Sequence, residues 1–135
     1  MQKAFTLVEL IIVVIIIGVL LSIGMTIYSK TQEKGRAAEA RTILGYIRTA
    51  EENYRLDKDT YTTVLSELDV DGVSGDCVSQ TINYFNYVIN PANSTAFTIT
   101  ATRCTSGGKV PAKSGSAYSF TLDQNGILTP SESGY

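Results

Sequence analysis

The chain has 135 residues, a formal net charge of −2 and a sequence pI of about 5.0. That length accommodates one domain and little else. The balance excludes a global electrostatic footprint for nucleic acid. Histidine is absent, which removes the commonest metal ligand and general base. Two cysteines, Cys77 and Cys104, are too few for a structural zinc site by themselves. No cofactor is indicated.

Residues 1–4 form a short polar start, Met1-Gln2-Lys3-Ala4, with one basic side chain. Phe5-Thr6-Leu7-Val8-Glu9 follows. From Leu10 to Ser29 no residue is charged, and Leu10–Leu21 is almost unbroken Leu, Ile and Val. About 20 such residues match the roughly 30 Å of hydrocarbon that a spanning helix must cross. The richness in β-branched residues would suit a buried strand, but the run is far too long for one. Gly18, Ser22 and Gly24 interrupt it with small residues, which let helices approach closely in a bundle; each is equally compatible with a lone span.

After Lys30 the composition turns soluble while a helical period continues. Ala37, Ala40, Ile43, Leu44, Ile47, Ala50 and Tyr54 recur three and four apart, the pattern of one apolar stripe. Arg36, Glu39, Arg41, Arg48, Glu51, Glu52 and Arg55 occupy the remaining face, with Arg36–Glu39 and Glu51–Arg55 placed to pair. No proline intervenes and Gly35 is the one weak point. The expectation is a single helix from Phe5 to Asp57, roughly 75–80 Å long. Its second half is apolar on one side and should pack on a head. Its first half is apolar all round and needs lipid or other copies of itself.

Turn chemistry follows at Asp57, Asp59, Asp69-Val70-Asp71-Gly72 and Ser74-Gly75-Asp76, with a short helical turn over Val64, Leu65 and Leu68. Strands are expected at Ile82–Ile89, which is aromatic and β-branched, and at Ala96–Arg103 and Ala117–Leu122, where apolar and polar residues alternate. Asn125-Gly126 is a hairpin signal that brings Ile127-Leu128-Thr129 back as a fourth strand. Thr105–Ser116 reads as an exposed Gly/Ser/Lys loop and Ser131–Tyr135 as a loose tail. The fold class is α+β: a long N-terminal helix packed against a small antiparallel sheet. The expected divisions are a leader at 1–4, an apolar helix at 5–29, its amphipathic continuation at 30–57 and a loop-and-sheet head at 58–135.

Lys3-Ala4-Phe5-Thr6-Leu7-Val8-Glu9-Leu10 with the apolar run behind it resembles the class III signal of type IV prepilins and type II secretion pseudopilins. Tyr54–Thr62 is a looser second match, similar to the Tyr-rich helix end and loop of many members. The resemblance implies cleavage between Ala4 and Phe5 by a prepilin peptidase and N-methylation of the new Phe5 amine. It gives Glu9 the assembly role, pairing with the Phe5 amine of a neighbouring subunit. A carboxylate in apolar surroundings is costly to bury, and an adjacent ammonium offsets that cost. Glu9 could otherwise be an interfacial acid at the mouth of an ordinary span. Two departures stand out: Ala4 replaces the usual glycine before the cut, and no proline lies late in the apolar run.

A cleaved secretory signal ending near Ser22-Ile23-Gly24 is the rival reading of the run; Glu9, the single lysine before it and its length oppose that reading. Lys30, Lys34 and Arg36 after the run against Lys3 before it would place the C-terminus in the cytoplasm by charge count. The resemblance implies the opposite, and the cysteines agree with it. Cys77 and Cys104, an even pair with no others, suggest a disulfide between the loop before the sheet and the end of the second strand, consistent with an oxidising compartment; two unrelated thiols are the alternative. Asn93-Ser94-Thr95 fits a glycosylation pattern but reads better as a turn. Asp69, Asp71 and Asp76 lack a calcium-loop spacing.

The leading expectation is therefore a non-enzymatic pilin of the major type. It would reside in the inner membrane before assembly and in an extracellular filament afterwards. Its implied partners are copies of itself, the prepilin peptidase, an assembly platform and motor, and DNA or a surface ligand at filament level. The rivals are a type II secretion pseudopilin and a monomeric membrane-anchored binding module.

Overall fold

A computed structural model describes residues 5–73, 75–78, 82–90, 92–112 and 117–131, with backbone only at 25 and 26. Ala4, the proposed residue before the cut, lies outside the described residues, as does 132–135 of the expected tail. The chain divides into two compact units, residues 1–35 and 36–135.

Helix α1 runs Leu7–Lys58, two residues later in its start and one later in its end than the apolar and amphipathic patterns suggest. The start is set by Thr6, whose Oγ1 accepts the Glu9 N–H at 3.3 Å and satisfies one of the first-turn donors. The end is set by Asp59, which adopts φ 58° while its N–H closes on the Arg55 carbonyl at 2.8 Å. A left-handed residue just past the last turn stops a helix, and Asp tolerates that conformation better than most non-glycine residues. Gly35 does not break it.

In the first unit the apolar side chains of Leu7 to Ile27 that are described are each 48–73% exposed. Their helix is the one element among the described residues long and apolar enough to cross a membrane.

The second unit is a meander packed on the amphipathic segment. Strands β1 (Phe85–Asn90), β2 (Thr98–Arg103), β3 (Ser119–Asp123) and β4 (Leu128–Pro130) lie in the order β1-β2-β3-β4, all antiparallel. Each strand is shorter than its sequence pattern or shifted by a residue or two. A one-turn 3-10 helix, Leu65–Glu67, stands where Val64, Leu65 and Leu68 suggested a helical turn. Alternation decides which face turns inward. Phe85, Tyr87, Ile89, Ile99, Ala101, Phe120 and Leu122 are buried in one cluster with Ala37, Ala40, Leu44 and Ile47 of the helix. The alanines keep the helix surface low where aromatic rings of the sheet need room. Across the sheet the same compensation recurs: Ala101 stands opposite Phe120.

Two charged side chains, one on the helix and one on the sheet, are buried. Glu51, read as a solvent-face partner for Arg55, is fully buried. It sits four residues beyond Ile47 and so shares its face. Arg103, the last residue of β2, keeps the inward parity of Ile99 and Ala101 and is 1% exposed. The β3–β4 connection is also not a bare two-residue turn. The Gly126 N–H bonds the Asp123 carbonyl at 3.0 Å, Gly126 takes φ 83°, and Asp123 Oδ1 accepts the Ile127 N–H at 2.7 Å. Arg48 ties this turn to the helix through Nε and the Gln124 carbonyl at 3.1 Å.

Candidate functional sites

The residues that the resemblance assigns to processing and assembly, Phe5 and Glu9, stand just before α1 and in its first turn. Phe5 is 80% exposed, and Glu9 is exposed in the first helical turn. Thr6 and Glu9 stand in the spacing of a capping box. The N-cap half of that box is formed, because Thr6 Oγ1 receives the Glu9 N–H. Sequence reasoning gave Thr6 no role, although the Thr-x-x-Glu spacing before an apolar run carried the signal. Acidic Glu9 also lies where the helix dipole favours negative charge. The Glu9 backbone is thus fixed in the first helical turn, four residues after Phe5. An added Cβ at Gly18 or Gly24 would meet nothing within 4 Å. Packing inside the chain therefore does not require these glycines.

In the second unit, Cys77 and Cys104 are joined by a disulfide across a sequence separation of 27. Closing a loop of that length removes unfolded-state entropy worth about 3.5 kcal/mol. The loop after Cys104 folds back over the bridge. Gly108 N–H bonds the Cys77 carbonyl at 2.6 Å, Lys109 N–H the Asn83 carbonyl at 2.9 Å, and Ala112 N–H the Cys104 carbonyl at 2.8 Å. Gly107 is required there: it has φ +66°, and a Cβ would fall 2.1 Å from the Cys77 carbonyl oxygen. The described part of the Gly/Ser/Lys loop, 105–112, is mostly exposed as its composition suggests, yet its backbone is pinned at Gly108, Lys109 and Ala112, while 113–116 lie outside the described residues. The Asn83 side chain bonds the Gly72 carbonyl, which holds the preceding loop to the same region.

Around this staple three cations face one ring. Arg36, Arg103 and Lys109 lie 5.1, 5.6 and 5.0 Å from the centroid of Tyr84. Arg103 donates Nη1 hydrogen bonds to the Tyr84 and Cys104 carbonyls at 2.9 and 3.2 Å. The cluster joins residues far apart in sequence, which is why no local motif announced it.

At the other end of the head, the loop after α1 is clasped by acids and tyrosines. Glu51 Oε2 accepts the Thr62 N–H at 3.1 Å, while its buried Oε1 has no hydrogen-bond partner among the described residues. Burial pushes the Glu51 carboxyl above its ordinary range, against the Thr62 hydrogen bond and with Glu52 and Glu67 adding to the rise. Glu67 accepts from Thr62 Oγ1 at 2.7 Å and Tyr54 Oη at 3.0 Å, and these bonds hold its carboxyl low. Tyr61 Oη donates to Glu52 and accepts from Arg55, and its ring packs edge-on against Phe97 with centroids 4.6 Å apart. The Tyr-rich segment Tyr54–Thr62 therefore locks helix end to loop.

Asn93-Ser94-Thr95 serves as a turn: Asn93 Oδ1 accepts from Thr95 N, Thr95 Oγ1 and Ala96 N. Asp76 Oδ1 accepts the Val78 N–H, a turn role as well. No metal-holding group of three His, Cys, Asp or Glu occurs among the described residues.

Comparison with known proteins meets this geometry at both ends. A family model for the prokaryotic N-terminal methylation motif matches residues 1–25. A second, described as type IV minor pilin ComP, DNA uptake sequence receptor, matches residues 26–110. The fimbrial protein EcpC of Eikenella corrodens is 32% identical over 124 residues, covering 86% of this chain and 76% of the relative. The type IV major pilin protein PilA of Myxococcus xanthus is 37% identical over 67 residues, covering 50% of this chain and 30% of that relative's length. A methylation motif, a long capped helix and a disulfide-braced four-stranded head thus occur in one chain, and the chain belongs to the type IV pilin family.

Proposed function

We propose that this protein is a structural subunit of a bacterial type IV pilus. It is cut after Ala4, N-methylated at Phe5 and packed through its apolar helix into a filament. The observation that carries this reading is the exposure of the first unit. Every described apolar side chain of Leu7–Ile27 is about half exposed or more. Burial is worth about 25 cal/mol per Å², so a surface of this kind needs lipid first and sister helices later. Glu9 then selects the processed form, since a neighbour's amine exists at Phe5 only after the cut. Transfer of the pair away from water strengthens their attraction. The subunit contributes shape and adhesion, and the work of extension and retraction belongs to the assembly machinery. The Cys77–Cys104 bridge agrees with an oxidising destination outside the cytoplasm.

A second reading concerns the filament's task. The match of residues 26–110 to a family described as a DNA uptake sequence receptor favours capture of DNA over adhesion alone. Sheared filaments that retard duplex DNA with a steep salt dependence would support it, and filaments that do not would leave adhesion or motility.

The deciding experiment for the first reading is mass spectrometry of N-terminal peptides from material sheared off native cells. A peptide beginning at N-methylated Phe5 in that fraction is the expected result. The methylated peptide confined to membranes would transfer the argument to a secretion pseudopilin. An intact Met1 terminus would reduce the protein to a membrane-anchored module.

A further inference from the structure

We infer that the end of the head bearing Arg36 and Lys109 is a lipid-contacting surface, which rests on an anionic bilayer while the subunit awaits assembly. The inference rests on the reading that residues 7–29 lie in a membrane, and it does not require the filament.

Three aliphatic side chains stand in water at this end. Val78 is 80% exposed, Ile82 64% and Val110 42%. Single exposed aliphatics are ordinary, but these are carried by two loops fastened together. Cys77 is bonded to Cys104, Gly108 to the Cys77 carbonyl and Lys109 to the carbonyl of Asn83, next to Ile82. A Cβ at Gly107 would sit 3.0 Å from Val78 Cα, so the second loop lies directly against Val78. Exposed Lys109 stands between the disulfide and Val110, and its ammonium and Arg36 both face Tyr84. Two cations, with exposed Asp76 the one acid among 75–78, 82–84 and 105–112, are interleaved with aliphatic side chains and a tyrosine, the composition of an interfacial surface: the apolar groups enter the headgroup layer while the cations meet lipid phosphates.

Chain connectivity brings this end near the bilayer. Arg36 follows Ser29, the last residue of the uncharged run, by seven positions. These seven residues are helical and rise about 10 Å, which sets Arg36 just past the interfacial layer with a side chain long enough to lean back into it. The interfacial layer on each side of the hydrocarbon is roughly 5–8 Å deep. The opposite end of the head cannot serve. There Tyr61 packs on Phe97 near the close of α1 and bonds Glu52 and Arg55, and the acids Glu52, Asp57, Asp59 and Glu67 outnumber the bases Arg55 and Lys58. An anionic surface would repel that end. Lipid contact also gives a use to Lys30, Lys34 and Arg36, whose position after the run opposes the usual charge count for an exported head.

The test uses the full-length chain in nanodiscs of phosphatidylcholine alone or mixed with phosphatidylglycerol. Hydrogen exchange is read over residues 75–78 and 105–112. Expected is slower exchange in the phosphatidylglycerol discs, reversed by added salt. Lys109→Glu should cut the protected population at least about fivefold, since one basic residue near an anionic surface is worth about 1 kcal/mol. Val78→Ser with Ile82→Ser should also lower it, with an unchanged melting temperature and an intact disulfide mass showing that the head still folds. Equal exchange in both discs would overturn the proposal. So would indifference to Lys109→Glu, or protection that appears only with a DNA oligonucleotide or with rising numbers of copies per disc. Filament yield and the N-terminal peptide are measured separately, so failure of the pilus reading and failure of the lipid surface are distinguishable.

Discussion

The two stretches of helix α1 share a backbone and differ in what covers them. After residue 36, Ala37, Ala40, Leu44, Ile47 and Glu51 are each 0% exposed, and a sheet lies over them. Before residue 28, the described apolar side chains have no such cover. One stretch is stabilised within the chain, the other only by its surroundings. A substitution before residue 28, in the first stretch of the chain, should therefore act on assembly and leave the head's melting temperature alone. A substitution in the second should act on the head first and on filaments only as a consequence.

The largest expected effect comes from Glu9→Ala. Under the proposed pairing with a neighbour's Phe5 amine, removing one partner of a buried ion pair costs about 3–5 kcal/mol at each contact, and a filament would repeat that contact at every subunit. Membrane insertion and head stability should be unchanged while sheared filament yield collapses. Normal yield would remove the ion pair from the account. Phe120→Ala is the converse. Phe120 is fully buried, with Tyr118 at 5.6 Å, Phe85 at 6.2 Å and Arg41 over its ring at 4.8 Å. Its loss should cost the head about 4 kcal/mol in denaturant unfolding, and an unchanged midpoint would break the division between the two stretches.

Cys77→Ser should follow closely, at about 3.5 kcal/mol. Its effect should centre on residues 75–78 and 105–112, because Gly108, Lys109 and Ala112 bond to backbone that the bridge holds in place. Limited proteolysis would read this: cleavage in those loops should precede loss of the sheet. Simultaneous loss of both would show that the staple supports the whole head.

The sequence made the periodic parts visible and hid the converging ones. The apolar run, the stripe Ala37–Tyr54 and the alternation of Ala96–Arg103 each express one element's geometry, so helix and strands could be read locally. Strand ends could not, because pairing sets them: β1 begins at Phe85 where its partner Arg103 ends β2. Glu51 and Arg103 escaped for a related reason. Their positions carry inward parity, but charge argues for solvent, and partners such as the Thr62 amide and the Tyr84 and Cys104 carbonyls make burial tolerable. The N-terminal motif that contains Phe5 and Glu9 was legible because it is contiguous. The Lys109–Tyr84–Arg36 cluster was not, because loop closure assembles it.

The smallest effect is the most discriminating for the head. Glu51 is buried with one oxygen satisfied by Thr62 and the other without a hydrogen bond among the described residues. Its folded pKa is raised above the ordinary 4.5, chiefly by desolvation. The folded head therefore holds this proton more tightly than the unfolded chain. The stability it contributes is fully present below about pH 4.5 and is lost as pH rises through the raised value. Glu67 and Asp123 have the opposite sign. Hydrogen bonds hold their carboxyls below 4.5 and 3.8, so their contributions are present above those values and fade as pH falls through the lowered ones. From pH 7 down towards 4.5 the head should thus gain stability through Glu51, and in stronger acid it should lose it. Glu51→Gln keeps an oxygen for the Thr62 N–H and removes the buried charge. It should raise stability at pH 7 by on the order of 1 kcal/mol and flatten the profile between pH 7 and 4.5. A variant less stable at pH 7 that keeps the wild-type slope would mean that the ionised carboxylate is compensated where it lies, and that the helix end is held by charge as well as by packing.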